Sequence, residues 1–208
     1  GDVLFAICIN PWIEHSTPPH SAFCYAAISL PTEPIIPAEP KLPYRTSSEG
    51  KTMRALIQRV SSASVSTREG NVNSIDQGFC ILLGVGPDDT EEIAEKLWSK
   101  ISKLRIFEDQ DGKTNLSLRD VSGAVLLVSQ FTLYADCRKG NRPSFTKGAS
   151  PDLANRLYEY FAQLVRNDGV ELKTGWFGAM MEVSLTNSGP FTLWLDTDDL
   201  VKQQTRSK

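Results

Sequence analysis

Two short segments carry side chains that could hold and cleave a substrate. Ser129-Gln130-Phe131-Thr132-Leu133 places two hydroxyls and an amide at the end of an otherwise apolar run. Polar groups in such a run need hydrogen-bond partners. They either serve a substrate or tie down a neighbouring loop. Read as a strand, the run puts Gln130 and Thr132 on one face and Ser129 and Phe131 on the other. Asn187-Ser188-Gly189-Pro190-Phe191-Thr192 lies between two further strand-like runs. It reads as a tight turn, because Gly supplies unusual φ and Pro fixes it. Gly-Pro is also where a cis peptide bond is accessible. A cis bond there turns two successive carbonyls to one side and makes a rigid wall of acceptors.

A third segment follows the first. Arg138, Lys139, Arg142 and Lys147 stand in a loop with no acid between Asp136 and Asp152, and Tyr134 and Phe145 flank it. Basic side chains interleaved with aromatics suit phosphates and unstacked bases. The same composition fits a solvated charged loop.

Other chemistries are excluded by residues that are missing. The chain has two histidines, His15 and His20, both in an N-terminal stretch set apart from the domain. The domain therefore has no Ser-His-Asp or Cys-His arrangement, no histidine base and no histidine metal ligand. Cys8, Cys24, Cys80 and Cys137 show no C-x-x-C spacing, so zinc and a disulfide framework are not expected. No metal and no cofactor is called for. GVGPDD (84–89) lacks the remaining glycine and the lysine of a phosphate-binding loop and reads as a strand-to-helix turn. EDQDGK (108–113) lacks most ligands of a calcium loop and reads as a β-turn. A net charge of −3 over 208 residues argues against a polyanion-coating protein, so any nucleic-acid contact must be a local patch.

The elements that must position these segments begin at Met53, which is placed to serve as a natural start. Before it, residues 1–52 hold eight of the twelve prolines: Pro11, Pro18, Pro19, Pro31, Pro34, Pro37, Pro40 and Pro43. Prolines at that density do not continue a helix, and the stretch reads as an extended, disordered leader. VLFAICI is short and preceded by Asp2, unlike a secretory signal, and one arginine among five acids is unlike a transit peptide. The chain is read as cytoplasmic, without a membrane span; organelle targeting by residues 1–52 has little support.

Residues 54–60, 63–66, 79–86 and 123–135 read as strands, the last being the strongest signal. Asp89, with Glu92 as a capping box, opens a helix whose apolar stripe is Ile93, Leu97, Ile101 and Leu104. Ser150 caps and Pro151 starts a second helix to about Arg166, with Leu153, Leu157, Phe161 and Leu164 inward. Strands at 180–186 and 190–196 and a polar tail after Asp199 complete the domain, 53–200, followed by 201–208. Strands outnumber helices and do not alternate with them, which gives an α+β layered fold.

Taken together, these segments resemble the D-aminoacyl-tRNA deacylase family. Its signatures S-Q-x-x-L and N-x-G-P-x-T stand here as Ser129–Leu133 and Asn187–Thr192. MRALIQRVSSASV (53–65), LRIFEDQDGKTNLSL (104–118) and RPSFTKGA (142–149) resemble family sequence as well, and the likeness runs from Met53 to about Asp199. The resemblance implies a three-layer α/β/β sandwich that forms a homodimer, with each active site at the dimer interface. It implies that Gly189-Pro190 is cis and reaches into the partner's pocket to select handedness, with Asn187 and Thr192 beside it and Arg59 as its buttress. The substrate is then the 3′ end of aminoacyl-tRNA. A backbone N–H near Phe131 holds the oxyanion, Ser129, Gln130 and Thr132 orient the ester, and Arg138, Lys139, Arg142, Phe145 and Lys147 meet the tRNA. Water is activated largely by the terminal ribose hydroxyl, with Thr132 as nucleophile the rival account. Two other functions stay open. One is a non-enzymatic nucleic-acid-binding module, disfavoured by the few residues after Leu200. The other is a deacylase of L-alanyl-tRNA mischarged onto a non-cognate tRNA, disfavoured by an intact Ser129-Gln130.

Overall fold

The computed structural model describes residues 52–204, with side chains through Leu200. The proline-rich leader, with both histidines, lies outside the described residues.

β1 (Arg54–Thr67) is the organising strand. On one edge it pairs antiparallel with β2 (Val72–Ile75) and β3 (Gly78–Gly84). On the other it pairs along almost its whole length with β8 (Met181–Asp196). β6 (Ala124–Ser129) and then β7 (Leu172–Thr174) extend the sheet beyond β3, both in parallel register. β4 (Arg105–Glu108) and β5 (Thr114–Ser117) make a separate hairpin. Its turn is the EDQDGK segment. Asp109 Oδ1 accepts the Asp111 and Lys113 N–H groups, and Gly112 takes the left-handed φ of 73°. The fold is thus mixed α and β.

Two apolar clusters follow from strand alternation. Phe79, Ile81 and Leu83 of β3 and Val125 and Leu127 of β6 face helices α1 (Glu91–Ile101) and α2 (Pro151–Asn167). Cys80, Ala124, Leu126 and Val128 face the opposite way. β1 serves both. Ala55 and Ile57 join the helix-side cluster, whereas Val60, Ala63 and Val65 join the other. The change of face coincides with irregular pairing to β8 between Gln58 and Ser62, and Arg59 sits at the changeover.

Several sequence expectations change. The strands expected at 54–60 and 63–66 are one strand. The apolar run 123–135 stops being a strand at Ser129, and Phe131–Tyr134 forms a 3₁₀ turn. The expected turn between two strands at 187–192 lies inside the single strand β8. Asp89 does not cap α1: Thr90 holds the cap position without a side-chain bond, and Asp89 folds inward onto the Gly86 N–H at 2.6 Å. Leu104 falls beyond the end of α1 but still packs on the core. The tail, read only as polar, opens within helix α3 (Thr197–Gln204). α2 matches its reading, with Ser150 Oγ accepting the Leu153 N–H at 3.4 Å and Pro151 at the first position. Among the described residues, no helix is long and apolar enough to cross a membrane.

Candidate active site

The first signature is built where β6 runs out. Ser129 is the last residue of β6, opposite Leu83 of β3. The Gln130 N–H donates to the Leu83 carbonyl at 2.7 Å, which anchors the chain as it leaves the sheet. It then winds once. Leu133 N–H donates to Gln130 O at 3.3 Å and Ala135 N–H to Thr132 O at 3.0 Å. The turn packs over Gly84, where a Cβ would come within 3.2 Å of Gln130 O and Leu133 Cβ. Gly84 is therefore needed for close approach.

Gln130 and Thr132 meet as expected of them, though not by strand alternation. The Gln130 amide donates to Thr132 Oγ1 across the turn. Phe131 and Thr132 are the first residues of the turn, so their N–H groups have no acceptor within it. Phe131 projects its ring outward at 61 % exposure and meets Phe145 edge-on at 5.2 Å. Tyr134, at the other end, is buried.

The basic loop is more internally paired than its composition implies. Asp136 and Ser144 bridge it by two backbone bonds of 2.7 and 3.0 Å. The Asp136 carboxylate receives Arg138 Nε at 2.8 Å and Lys147 Nζ at 3.4 Å. Hydrogen bonds from Arg138 hold that carboxyl well below the usual carboxylate range. Lys139 and Arg142 are exposed and have no ion pair among the described residues.

The second signature is held by Arg59. The Gly189-Pro190 bond is cis. β1–β8 pairing runs Val60 to Asn187 and Gln58 to Thr192, so residues 188–191 stand out of the ladder. Arg59 is 5 % exposed and spends its whole fork on main-chain oxygens. Nε donates to Ser188 O at 2.9 Å, Nη2 to Gly189 O at 3.0 Å and Nη1 to Ile106 O at 2.6 Å. Its guanidinium also lies 4.4 Å from the Phe191 ring centroid. Asn187 Nδ2 closes the loop from below, donating to Arg59 O at 3.2 Å and Phe191 O at 3.0 Å. Gln58 Nε2 reaches Thr192 Oγ1 at 3.4 Å. A Cβ built on Gly189 meets nothing nearer than Asn187 Oδ1 at 3.7 Å, so the loop faces open space within the subunit.

The two signatures are not bonded to each other within the described residues. Among the described residues, no hydrogen bond, ion pair or ring contact joins 129–132 to 187–192. The 3₁₀ turn is held from Arg54, through Leu133 O, and the 188–191 loop from Arg59. Those residues are five apart on β1, about 16 Å at strand rise. Sequence reasoning passed over Arg54 and Asp196 and read Asp89 only as a helix cap; the three gather beneath the 3₁₀ turn. No motif marks that meeting, because it comes about only through β1–β8 pairing and the β3–α1 connection.

Among the described residues, no group of three or more His, Cys, Asp or Glu is placed to hold a metal ion. The arrangement offers main-chain donors at an exposed 3₁₀ turn, main-chain acceptors on a braced loop, and aromatic and basic side chains beside the turn.

Residues 56–196 match the model of the D-Tyr-tRNA(Tyr) deacylase family. A D-aminoacyl-tRNA deacylase of Bacillus pumilus is 55 % identical over 147 residues, covering 71 % of this chain and 100 % of that protein. One from Thermus aquaticus is 56 % identical over 147 residues, covering 71 % and 97 %. Among solved structures, a c-Myc DNA unwinding element binding protein is 38 % identical with a TM-score of 0.63, covering 68 % of this chain and 97 % of that one. A probable eukaryotic D-amino acid tRNA deacylase shares the fold at 19 % identity, with a TM-score of 0.63 and coverage of 70 % and 99 %. With both signatures intact inside the matched span, the chain belongs to the D-Tyr-tRNA(Tyr) deacylase family.

Proposed function

We propose that the chain hydrolyses the ester between a D-amino acid and the 3′ end of tRNA, and that it does so as a homodimer with active sites shared between subunits. The observation that carries this reading is the pair of braced main-chain surfaces, donors at Phe131-Thr132 and acceptors on the Gly189-Pro190 loop, held by Arg54 and Arg59, which stand five residues apart on β1, about 16 Å at strand rise. Among the described residues no bond joins the two surfaces. A second copy can present its 188–191 loop to the first copy's turn. The outward loop and the exposed Val183, Leu185 and Trp194 on β8 support such an assembly. They support equally the three-layer α/β/β arrangement implied by the family.

In this reading, water adds to the ester carbonyl carbon while the Phe131 N–H, free of intrahelical bonding, takes the developing oxyanion. The carbon–oxygen bond to the ribose then breaks, and the ribose oxygen leaves with a proton. The terminal ribose hydroxyl of the tRNA activates the water. Thr132 Oγ1 accepts from Gln130 and has no base beside it, so it positions the ester and does not attack it. Thr132→Ala is therefore expected to keep at least about a tenth of wild-type single-turnover rate; loss below a thousandth, with folding and tRNA binding intact, would make Thr132 the nucleophile. Phe131 and Phe145, with Lys139 and Arg142, suit the unstacked 3′ nucleotides.

Handedness is read at the braced loop, whose main-chain oxygens occupy the space an L side chain needs. The test is deacylation of D-tyrosyl-, L-tyrosyl- and glycyl-tRNA by the full chain. D-Tyrosyl-tRNA is cleaved, L-tyrosyl-tRNA is spared by at least about a hundredfold, and glycyl-tRNA, which has no Cβ, is cleaved. A protein that spares all three while binding tRNA is the nucleic-acid-binding module instead. Equal cleavage of L- and D-tyrosyl-tRNA removes the chiral role.

A further inference from the structure

We propose that Arg54 is a positioning residue for the reaction: it fixes the 3₁₀ turn that carries Phe131 and Thr132 by holding the Leu133 carbonyl. The inference rests on the deacylase reading above and adds to it a residue on the far side of the turn from the substrate.

The last carbonyls of a short helical turn have no acceptor role within it and are satisfied from outside or by water. Here the Leu133 carbonyl is met by Arg54 Nη1 at 2.9 Å. The guanidinium is itself tied down on two sides. Nε donates to Asp196 Oδ2 at 3.2 Å, and the plane lies 4.4 Å from the centroid of Tyr134, the last residue of the same turn. Trp194 closes the outer side at 5.8 Å. Asp196 is fixed in turn: its Oδ1 accepts the Asp198 N–H at 3.0 Å, and the adjacent Thr197 exchanges two bonds with Met53, of 2.8 and 3.1 Å. Tyr134 is pinned through its hydroxyl to Thr52 O.

Sheet register makes this possible. Arg54 stands opposite Asp196 on β8 and Gly84 on β3, and Gly84 is the residue over which the turn packs. One side chain therefore links the strand that carries the 188–191 loop to the turn that carries the oxyanion donors. Arginine is required because a planar fork can bond a carboxylate and a carbonyl while stacking on a ring; a lysine ammonium at the same place serves one acceptor well. Oxyanion stabilisation depends on donor placement to a fraction of an ångström, so releasing Leu133 O should slow chemistry and leave tRNA capture intact.

The experiment is single-turnover deacylation of D-tyrosyl-tRNA with enzyme in excess, over a range of enzyme concentrations. It separates the maximal rate constant from the half-saturating concentration and is insensitive to a fraction of unfolded enzyme. Arg54→Met is expected to lower the maximal rate constant by about 10- to 100-fold and to change half-saturation by less than about threefold. Arg54→Lys is expected to fall between the two. A maximal rate constant for Arg54→Met within twofold of wild type overturns the proposal, whatever the melting temperature does. Should Arg54→Met fail to fold, Arg54→Lys decides alone, with at least about a fivefold loss expected and an unchanged rate constant overturning it. A wild-type chain that leaves D-tyrosyl-tRNA intact overturns the deacylase reading together with this inference. An active wild type with an equally active Arg54→Met overturns only the inference.

Discussion

Arg59→Met should cost the protein at least about a hundredfold in kcat/KM for D-aminoacyl-tRNA and most of its preference for the D form. Among the described residues, Arg59 is the only side chain that bonds two successive carbonyls of the 188–191 loop, and it adds a third bond to Ile106 O on the β4–β5 hairpin. Its ion pair with Glu108 is long, 3.6 Å, and Glu108 is 61 % exposed, so that contact contributes little. The three carbonyl bonds and the face of Phe191 do the holding. Methionine fills the stem volume but leaves those oxygens without their charged donor. A hydrogen bond from a charged group is worth about 1.5–3 kcal/mol, and water can replace part of it at a half-exposed loop. A net loss of about 2–4 kcal/mol in unfolding free energy is expected. Arg59→Lys should recover little, since one ammonium cannot follow three divergent acceptors. Single-turnover assays with D- and L-tyrosyl-tRNA and denaturant unfolding check both parts. A variant that keeps wild-type turnover and wild-type chirality would show that the loop is braced elsewhere.

What the sequence revealed, and what it hid, divides along the range of the interactions involved. Helix α2 was legible to a residue because its start is local chemistry: Ser150 accepts the Leu153 N–H and Pro151 supplies the pre-set φ. The buried strands β3 and β6 were legible as continuous apolar runs. The end of β6 was not. FTLYA is as good a strand as AVLLV by composition, and what stops it is tertiary: the Gln130 N–H is taken by Leu83 and the turn settles on Gly84. Likewise Gly189-Pro190 reads locally as a turn between strands. Only the fourteen residues of β1 show that 181–196 runs on as one partner, with the loop standing out of it. Asp89 was misread for the same reason. An aspartate with a glutamate three residues on suits a cap, but here it folds inward beside Gly86, Tyr134 and Thr52. Arg59 did leave a signal. Period-two alternation from Ala55 and Ile57 places it inward, and an inward arginine must find acceptors. Two of its three acceptors come from residues 129 and 130 positions later, and only the family signature pointed to them.

Unfolding of the wild type should become easier as pH rises from 5 to 8.5, and Asp89→Asn should remove most of that dependence. Asp89 is 4 % exposed; its Oδ2 accepts the Gly86 N–H at 2.6 Å, and its Oδ1 is buried without a hydrogen-bond partner among the described residues. Burial pushes its carboxyl up to about 7; the Gly86 bond opposes this, Asp196 and Asp88 add to it, and Arg54 opposes it again. The native state thus holds a proton that an unfolded aspartate releases near pH 4. Between those values the native chain binds more protons than the unfolded one, so stability falls with rising pH, and the fall is complete just above pH 7. At about 1.4 kcal/mol per unit, the whole shift is of order 4 kcal/mol, of which about 3 kcal/mol falls between pH 5 and 8.5. Other shifted groups leave that window clear. Asp136, Asp120 and Glu69 are held below the ordinary carboxylate range, Cys80 is raised to about 11, Tyr160 to about 12, and Tyr134 and Tyr158 are raised as well. Asparagine keeps an acceptor for Gly86 and carries no charge at either pH. Denaturant titrations at pH 5, 6, 7 and 8.5 should therefore give a wild-type curve that descends towards, and at high pH below, a nearly level variant curve. Groups outside the described residues, the two histidines included, are common to both proteins and cancel in the difference. Parallel curves would mean that Asp89 is ionised throughout, with a compensating charge or water reaching Oδ1. In that case the floor beneath the 3₁₀ turn would be polar rather than dry, and Arg54 would face two carboxylates instead of one.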